Sequence, residues 1–580
     1  MYLNFKHLSL ITASFILIGC GGGGTTTGGT TTSTTSGTTT SSTKSITITD
    51  DYHVESLGQT NSISATVNLG NTPKSLYILL SNYHETQSSS TNITHNKTVS
   101  RNESQKVLEE PVTTMQAKAL HAHASIQEFN RNSKKFFKTN TASSQKIQAK
   151  TVALSTVSKK DVLGDSQIFY MEEDTSVSTQ ATARKVVSNI STPFGLKTLN
   201  IWVSNDSFDS GLGCVKSKCV TQVMVDALAS TFLQAGADND IYDWVTNIYG
   251  EEWNSAAQSK YSNLISANDE ITILLTDIDN DNSINGGTIG YFHSKDNFDS
   301  TAIAGSNQRV MFYADAVLFA NASGAWTIDE FWPKEMVSTL AHEFQHMIHF
   351  YQKTVLLDTT SEVWLNEMLA ETTEDLIATK ISHTGPRGVD PLDGSAGNAP
   401  NTQGRYPLFN QNNNSLSLTA WNGILADYSK VNAFGAYLVR NYGGAKVLHD
   451  IMHNAFEDEN AVVDGVTKSV QGSGKTFNML LKEWGVAVLL SDNENLQNQP
   501  AYNTGDFTQD TYNGSTNSSS TYELGSINFF NYSPTPTIFT SAGTVAAQGN
   551  YYYKVGDNLT GTVTIDLTLN GTTEATLIAK

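Results

Sequence analysis

Residues 333–351 limit the possible folds of this chain more than any other stretch. Pro333 is well placed to start a helix, since a proline at the first helical position loses no needed donor. From there Val337, Leu340, Ala341, Phe344, Met347, Ile348 and Tyr351 recur at spacings of three and four, with no glycine between them. That period predicts an amphipathic helix of about five turns. His342, Glu343 and His346 stand inside it as His-Glu-x-x-His. Residues four apart lie about 40° apart around a helix, so the two imidazoles can reach one ion, and the donor chemistry suits Zn²⁺. Glu343 falls between them, in reach of a proton on a water polarised by that ion. A site of this kind needs a third protein ligand. Four glutamates follow, Glu362, Glu367, Glu371 and Glu374, and a second helix through them would put Glu367 and Glu371 on one face. His349 is near the ligand face too. In the pattern His-Glu-x-x-His-x-x-Gly-x-x-His, however, the glycine falls at His349 and the last histidine at Gln352, so His349 reads as a packing or surface residue.

Trp364-Leu365-Asn366-Glu367, followed by Met368-Leu369-Ala370-Glu371, resembles the signature of the glutamate zincins. The resemblance implies Glu367 as the third zinc ligand. It implies Glu371 as the acid that hydrogen-bonds a ligand histidine, which fixes the tautomer and raises ligand basicity. Other segments are similar to the hyicolysin family of bacterial neutral metallopeptidases. Ile241-Tyr242-Asp243-Trp244 through Trp253 resembles that family's entry into the catalytic domain, and Ile271–Leu275 reads as a buried strand leading to an acidic loop and Gly290-Tyr291-Phe292. Tyr428-Ser429-Lys430, with Tyr437-Leu438 after it, resembles a segment of the clan's aminopeptidase branch whose leading tyrosine stabilises the tetrahedral intermediate. This implies a catalytic Tyr428, although Val431 stands where that branch has glycine. The resemblance covers about residues 190–490 and implies zinc-dependent hydrolysis of peptide or protein substrates. The Gly-Ala-Met-Glu-Asn run by which the aminopeptidase branch anchors a free amine does not occur upstream of His342. Gln308–Ala314 reads instead as a strand able to pair with an extended substrate. An endopeptidase is therefore expected. The alternatives are an aminopeptidase of the same fold and a non-catalytic surface adhesin on a zincin scaffold.

A chain of 580 residues has room for three or four domains. The expected fold is α+β: a zincin catalytic domain over residues 161–499, between an N-terminal β-rich region with a linker (46–160) and a C-terminal β-rich domain (500–580). Runs such as Ser75–Leu80 and Gly561–Leu567 carry the strand signal. Residues 101–160 read as helical and then irregular, a linker or pro-region. The polar loop Gly394–Trp421 is a candidate lid. A net charge of −20 and a pI near 5.0 leave no basic footprint for nucleic acid. No oligomeric state is specified.

The N-terminus reads as a targeting segment. Lys6 precedes an apolar core, Leu8–Ile18, and Leu17-Ile18-Gly19-Cys20 resembles the bacterial lipobox. Residues 1–19 are then a lipoprotein signal peptide, and Cys20 carries the lipid. Residues 20–45, nearly all Gly, Thr and Ser, form a tether averaging roughly 25–30 Å end to end. The expected location is the bacterial cell envelope, lipid-anchored at the outer membrane or cell surface. In an oxidising compartment Cys214 and Cys219 are expected to pair as a disulfide, a Cys-x4-Cys metal site being the weaker reading. The loop Asp277-Ile278-Asp279-Asn280-Asp281 offers oxygens suited to Ca²⁺. Yet Asn282 and Thr288 stand where a full Ca²⁺ loop has glycine and glutamate, so an ordinary Asp/Asn turn is the rival. Mass spectrometry of the membrane fraction should find a chain beginning at diacylglyceryl-modified Cys20, and Cys20→Ala should release soluble protein. An unmodified Cys20 with cleavage elsewhere would refute the anchor.

Overall fold

The described chain opens in the strands β1 (Ser41–Thr47), β2 (His53–Gly58), β3 (Ser62–Asn68), β4 (Lys74–Asn82) and β5 (Asn92–His95), of which β3 alternates buried apolar with more exposed polar residues. The structure is a computed structural model that describes residues 41–97, 119–120, 122–139, 160–211, 213–266, 269–383, 404–414, 416–491, 500–502, 505–510 and 519–580. The signal segment, Cys20, most of the tether and linker, and the first part of the candidate lid lie outside them. The polar tether ends sooner than its composition implies. Ser41–Thr47 pairs in parallel with Ser62–Asn68, because a ladder uses backbone groups and here needs only Ile46 to be buried.

A short helix, α1 (Ala124–Asn132), precedes the next sheet. That sheet contains β6 (Ser166–Tyr170), β7 (Ser178–Thr192), β8 (Gly195–Ser204), β9 (Glu270–Thr276), β10 (Gly290–Tyr291) and β11 (Met311–Asp315). Their order across it is β10-β11-β9-β8-β7-β6. β9 is buried along its whole length between parallel neighbours β8 and β11, as a sheet covered on both faces requires. Ile271, Ile273 and Leu275 enter the main core with the helices, while Leu274 joins Trp202, Met311 and Tyr313 on the other face. Of the expected strand Gln308–Ala314, Met311–Ala314 lies in β11, and β10 pairs antiparallel outside it, so β10 is the edge of the sheet.

The helical part follows: α2 (Phe331–His349), α3 (Val363–Ile377), α4 (Arg405–Asn412), α5 (Leu425–Asn441) and α6 (Phe477–Leu489). α2 continues as π-helical turns over Phe350–Leu356. It is not amphipathic in place, since every residue from Met336 to Val355 is buried. The sheet covers one side of it and α3 another. Among the described residues no helix is long and apolar enough to cross a membrane.

The chain ends in β12 (Gly549–Leu559), β13 (Thr562–Thr568) and β14 (Thr573–Ala579). These do not make a separate sheet. One four-stranded sheet has the order β1-β3-β13-β5 and the other β12-β4-β14-β2, so strands from the two ends of the chain interleave. Val563, Ile565 and Leu567 stand opposite Val67, Ala65 and Ile63. With Leu76, Ile78, Leu80, Ala575 and Leu577 they form one buried cluster. The β-rich regions expected at either end are halves of a single sandwich. Its second sheet packs on α6, where Gly485 lies against Leu79 and Asn550.

Cys214 and Cys219 form the expected disulfide, with Cα atoms 6.0 Å apart. Between them, Lys216 reaches the acidic loop. Its Nζ donates to Asp277 Oδ2 at 2.7 Å and Asn280 Oδ1 at 2.6 Å, with Asp206 Oδ2 at 3.2 Å. Lys216 thus ties Asp277 and Asn280 of the loop to the disulfide turn, and Ca²⁺ binding there is not shown.

α5 crosses α3 closely at Gly435. A Cβ there would lie 1.8 Å from Thr372 Oγ1 and 3.1 Å from its Cβ. Gly435→Ala should therefore lower unfolding free energy by about 1–3 kcal/mol through overpacking, partly offset by up to about 1 kcal/mol of helix propensity. Urea titration measures it. An unchanged or raised midpoint would mean that the crossing opens freely.

Candidate metal centre

α2 and α3 face each other across a buried polar cluster. His342, Glu343, His346, Glu367, Glu371 and Glu374 are all buried there. His342 Nε2 and Glu367 Oε2 are 3.2 Å apart, His346 Nε2 and Glu367 Oε2 3.5 Å, and the two Nε2 atoms 3.0 Å. A tetrahedral shell with bonds of 2.0–2.1 Å has edges of about 3.3–3.4 Å, close to all three separations. His342 Nδ1 is 2.8 Å from Glu374 Oε1, which places its proton on Nδ1 and its lone pair on Nε2. Among the described residues, Glu367 Oε2 has no hydrogen-bond donor apart from the imidazoles. Converging lone pairs and a buried carboxylate oxygen are the donor set Zn²⁺ takes, and His342, His346 and Glu367 form a group able to hold a metal.

The hydrogen bond that the resemblance assigns to Glu371 is made by Glu374 instead. Seven residues is nearly two full helical turns, so Glu374 shares the Glu367 face at least as closely as Glu371 does. Farther along α3, it meets the earlier part of α2, and Ser338 also donates to it at 2.6 Å. Glu371 turns to Arg405 of α4, whose Nη2 and Nε donate to it at 2.8 and 3.0 Å, and Asn432 Nδ2 donates at 2.9 Å. Glu362, at the start of α3, accepts from the indole of Trp364 at 2.9 Å. His349 is buried rather than on the surface, and its Nε2 lies 2.9 Å from Ser361 Oγ.

Glu343 does not join the ligand triad. Its Oε2 accepts from the backbone N–H of Phe292 at 2.7 Å, which ties it to the end of β10. Gly290 makes that approach possible, since a Cβ there would sit 3.0 Å from both Thr339 Cγ2 and the Tyr313 carbonyl. Tyr428, on α5, is buried beside the centre. Burial and the Glu367 charge push its phenol well above its usual pKa, so it stays an O–H donor. Arg405 lies 5.2 Å from its ring centroid and the Trp421 ring 4.9 Å from it. Burial alone would raise the Glu367 carboxyl, but His346 and the hydrogen bonds of both imidazoles hold it well below the usual carboxylate range. Burial would lower His342, and its bonds to Glu367 and Glu374 carry it well above the usual imidazole value. Burial holds His349 well below that value, so it stays neutral.

Sequence reasoning missed Gln127, Arg405 and Trp421 and gave Glu374 no role. The heptad spacing from Glu367 could have marked Glu374. The other three come from distant segments that carry no motif.

A family model described as Peptidase M30 matches residues 178–508, more than half of the chain. The chain belongs to the Peptidase M30 family. It is 27% identical over 250 residues to the Neutral metalloprotease ShpI of Staphylococcus hyicus, covering 40% of this chain and 51% of that protein. The chain thus spans about half the length of the curated relative it matches. The crystal structure of the M1 zinc metallopeptidase from Deinococcus radiodurans superimposes over 76% of this chain and 64% of that one. The TM-score is 0.27 at 8% identity, too loose to carry an argument. Within this M30 chain, Glu374→Ala should weaken zinc binding about 10–100-fold by releasing the His342 tautomer. Glu371→Gln should change it far less. Competition against a chromogenic chelator reads both, and the reverse order would restore Glu371 as the histidine's partner.

Proposed function

We propose that this chain is a zinc-dependent endopeptidase acting on extracytoplasmic proteins and peptides. The observation that carries the reading is the convergence of His342, His346 and Glu367 to within 3.0–3.5 Å of one another, with Glu343 next to His342 on the same helix. When bound, Zn²⁺ supplies a Lewis acid for the scissile carbonyl and the attacking water. Glu343 takes the proton of that water and hands it to the leaving amine, with Phe292 N–H holding its other oxygen in place. The Tyr428 O–H donates to the oxyanion as its charge grows. Glu374 keeps His342 in the ligating tautomer.

Cleavage within chains, rather than at a free amine, is favoured by the missing amine-anchoring run and by the form of the cleft. The Phe292 carbonyl and Ser294 N–H, just past edge strand β10, bond the side-chain amide of Asn130, and a peptide main chain in its place would meet the same acceptor and donor. The lipobox-like Leu17–Cys20 supports a place in the bacterial cell envelope, on a lipid anchor.

Glu343→Gln should keep one zinc per chain and lose nearly all hydrolysis of a peptide library. Tyr428→Phe should lower kcat by about 10²–10³ with little change in KM. Sequencing the new ends should find internal cuts. Wild-type turnover in Glu343→Gln would sink the mechanism, and stepwise loss of single N-terminal residues would turn the reading to an aminopeptidase.

A further inference from the structure

Helix α1 lies against the metal centre. Gln127 Nε2 is 2.7 Å from Glu367 Oε1 and 2.8 Å from the Tyr428 hydroxyl. Its Oε1 accepts from Trp421 Nε1 at 3.1 Å. An indole N–H can only donate, so this contact fixes which end of the amide faces which way. Asn130 is three residues on and shares the same helix face. Its Nδ2 donates to the Phe292 carbonyl at 2.9 Å, and its Oδ1 accepts from Ser294 N–H at 2.8 Å. Phe129 packs edge-on against His293, with ring centroids 4.9 Å apart. The cleft beside Gln127 and Asn130 is lined by His349, Phe350, Val363 and Asn366.

We infer that α1 is an internal occupant of the substrate cleft and that the enzyme stays latent until α1 is displaced. A side-chain amide offers the same N–H and C=O as a peptide unit. Gln127 presents one to a ligand carboxylate and the catalytic phenol, and Asn130 presents one to the backbone just past the sheet edge. The helix's own peptide bonds are turned inward on its hydrogen-bond ladder, so none of them enters the reacting position. α1 thus takes up the cleft's polar groups without offering a bond to cut. An extended peptide needs the same Trp421 indole, Tyr428 hydroxyl and Phe292 and Ser294 backbone groups, so the two exclude each other. The apparent affinity for substrate is then reduced by the small fraction of molecules in which α1 is out. The same geometry makes Trp421 a substrate-binding residue once α1 has left, donating to a substrate carbonyl.

This inference rests on the peptidase reading, but its test needs no turnover. The probe is a fluorescent peptide hydroxamate, bound to the zinc-loaded full-length protein and followed by anisotropy. The double variant Gln127→Ala/Asn130→Ala, checked for zinc content and melting temperature, should bind it about tenfold or more tightly than the unaltered protein. Equal or weaker binding by a folded, zinc-loaded double variant would overturn the proposal. A second measurement uses the unaltered protein alone. Hydrogen exchange at residues 124–132 should speed up when the probe saturates the site, because the helix must leave. Full protection of those amides with the probe bound would overturn it as well. Loss of hydrolysis in every assay would remove the peptidase reading and leave both binding results readable.

Discussion

Four carboxylates and two imidazoles are buried between two helices, and the elements packed around them are arranged to make that tolerable. Buried charge is expensive unless it is paired and hydrogen-bonded. Each member of the cluster has a distinct answer. Glu374 is held by His342 and Ser338, Glu371 by the Arg405 fork and Asn432, and Glu343 by the Phe292 N–H. Glu367 and the two Nε2 atoms are left converging on one point, which is the arrangement a divalent cation completes. The burial of α2 on every side follows. A helix with its polar residues at the centre of the molecule needs partners on all faces.

Close packing around the cluster depends on two small residues. Gly435 lets α5 approach α3, and Gly290 lets the sheet edge approach α2. Through the first, Tyr428 on α5 comes beside Glu367 on α3. Through the second, the Phe292 N–H comes within reach of Glu343. The metal cluster and the packing are therefore one problem, since a methyl group at either glycine would press on the elements that place Glu343 and Tyr428 beside it.

The interleaved sandwich adds a topological constraint. β13 lies between β3 and β5, and β14 between β4 and β2. Loss of the first hundred residues would leave both C-terminal strands without their neighbours. α1 sits in the sequence between these N-terminal strands and the catalytic sheet, so the segment in the cleft is joined to structure on both sides.

Local pattern was enough for the metal helix, for β9, for the strands at either end and for the identities of His342, Glu343 and His346. Spacings of two, three and four residues report directly on which face a side chain shares. The Cys214–Cys219 pair was legible for the same reason, its partners being five residues apart. Pattern failed where the answer lay between distant segments. The resemblance to the glutamate zincins pointed to Glu371 as the histidine's partner, while the direction of α3 along α2 brought Glu374 to His342. Pattern left the acidic loop between Ca²⁺ and an ordinary turn and could not see Lys216 arrive from 61 residues away. It separated two β-rich regions that one sandwich unites, because a strand's alternation says which face is apolar and nothing about which strand will lie beside it. It gave Gln127 no role, since a glutamine on a short polar helix has no signature. The sequence by itself determined which residues could hold a metal. Only the tertiary structure decided what holds those residues and what stands in front of them, because hydrogen bonds between segments 32 to 301 residues apart leave no period in the chain.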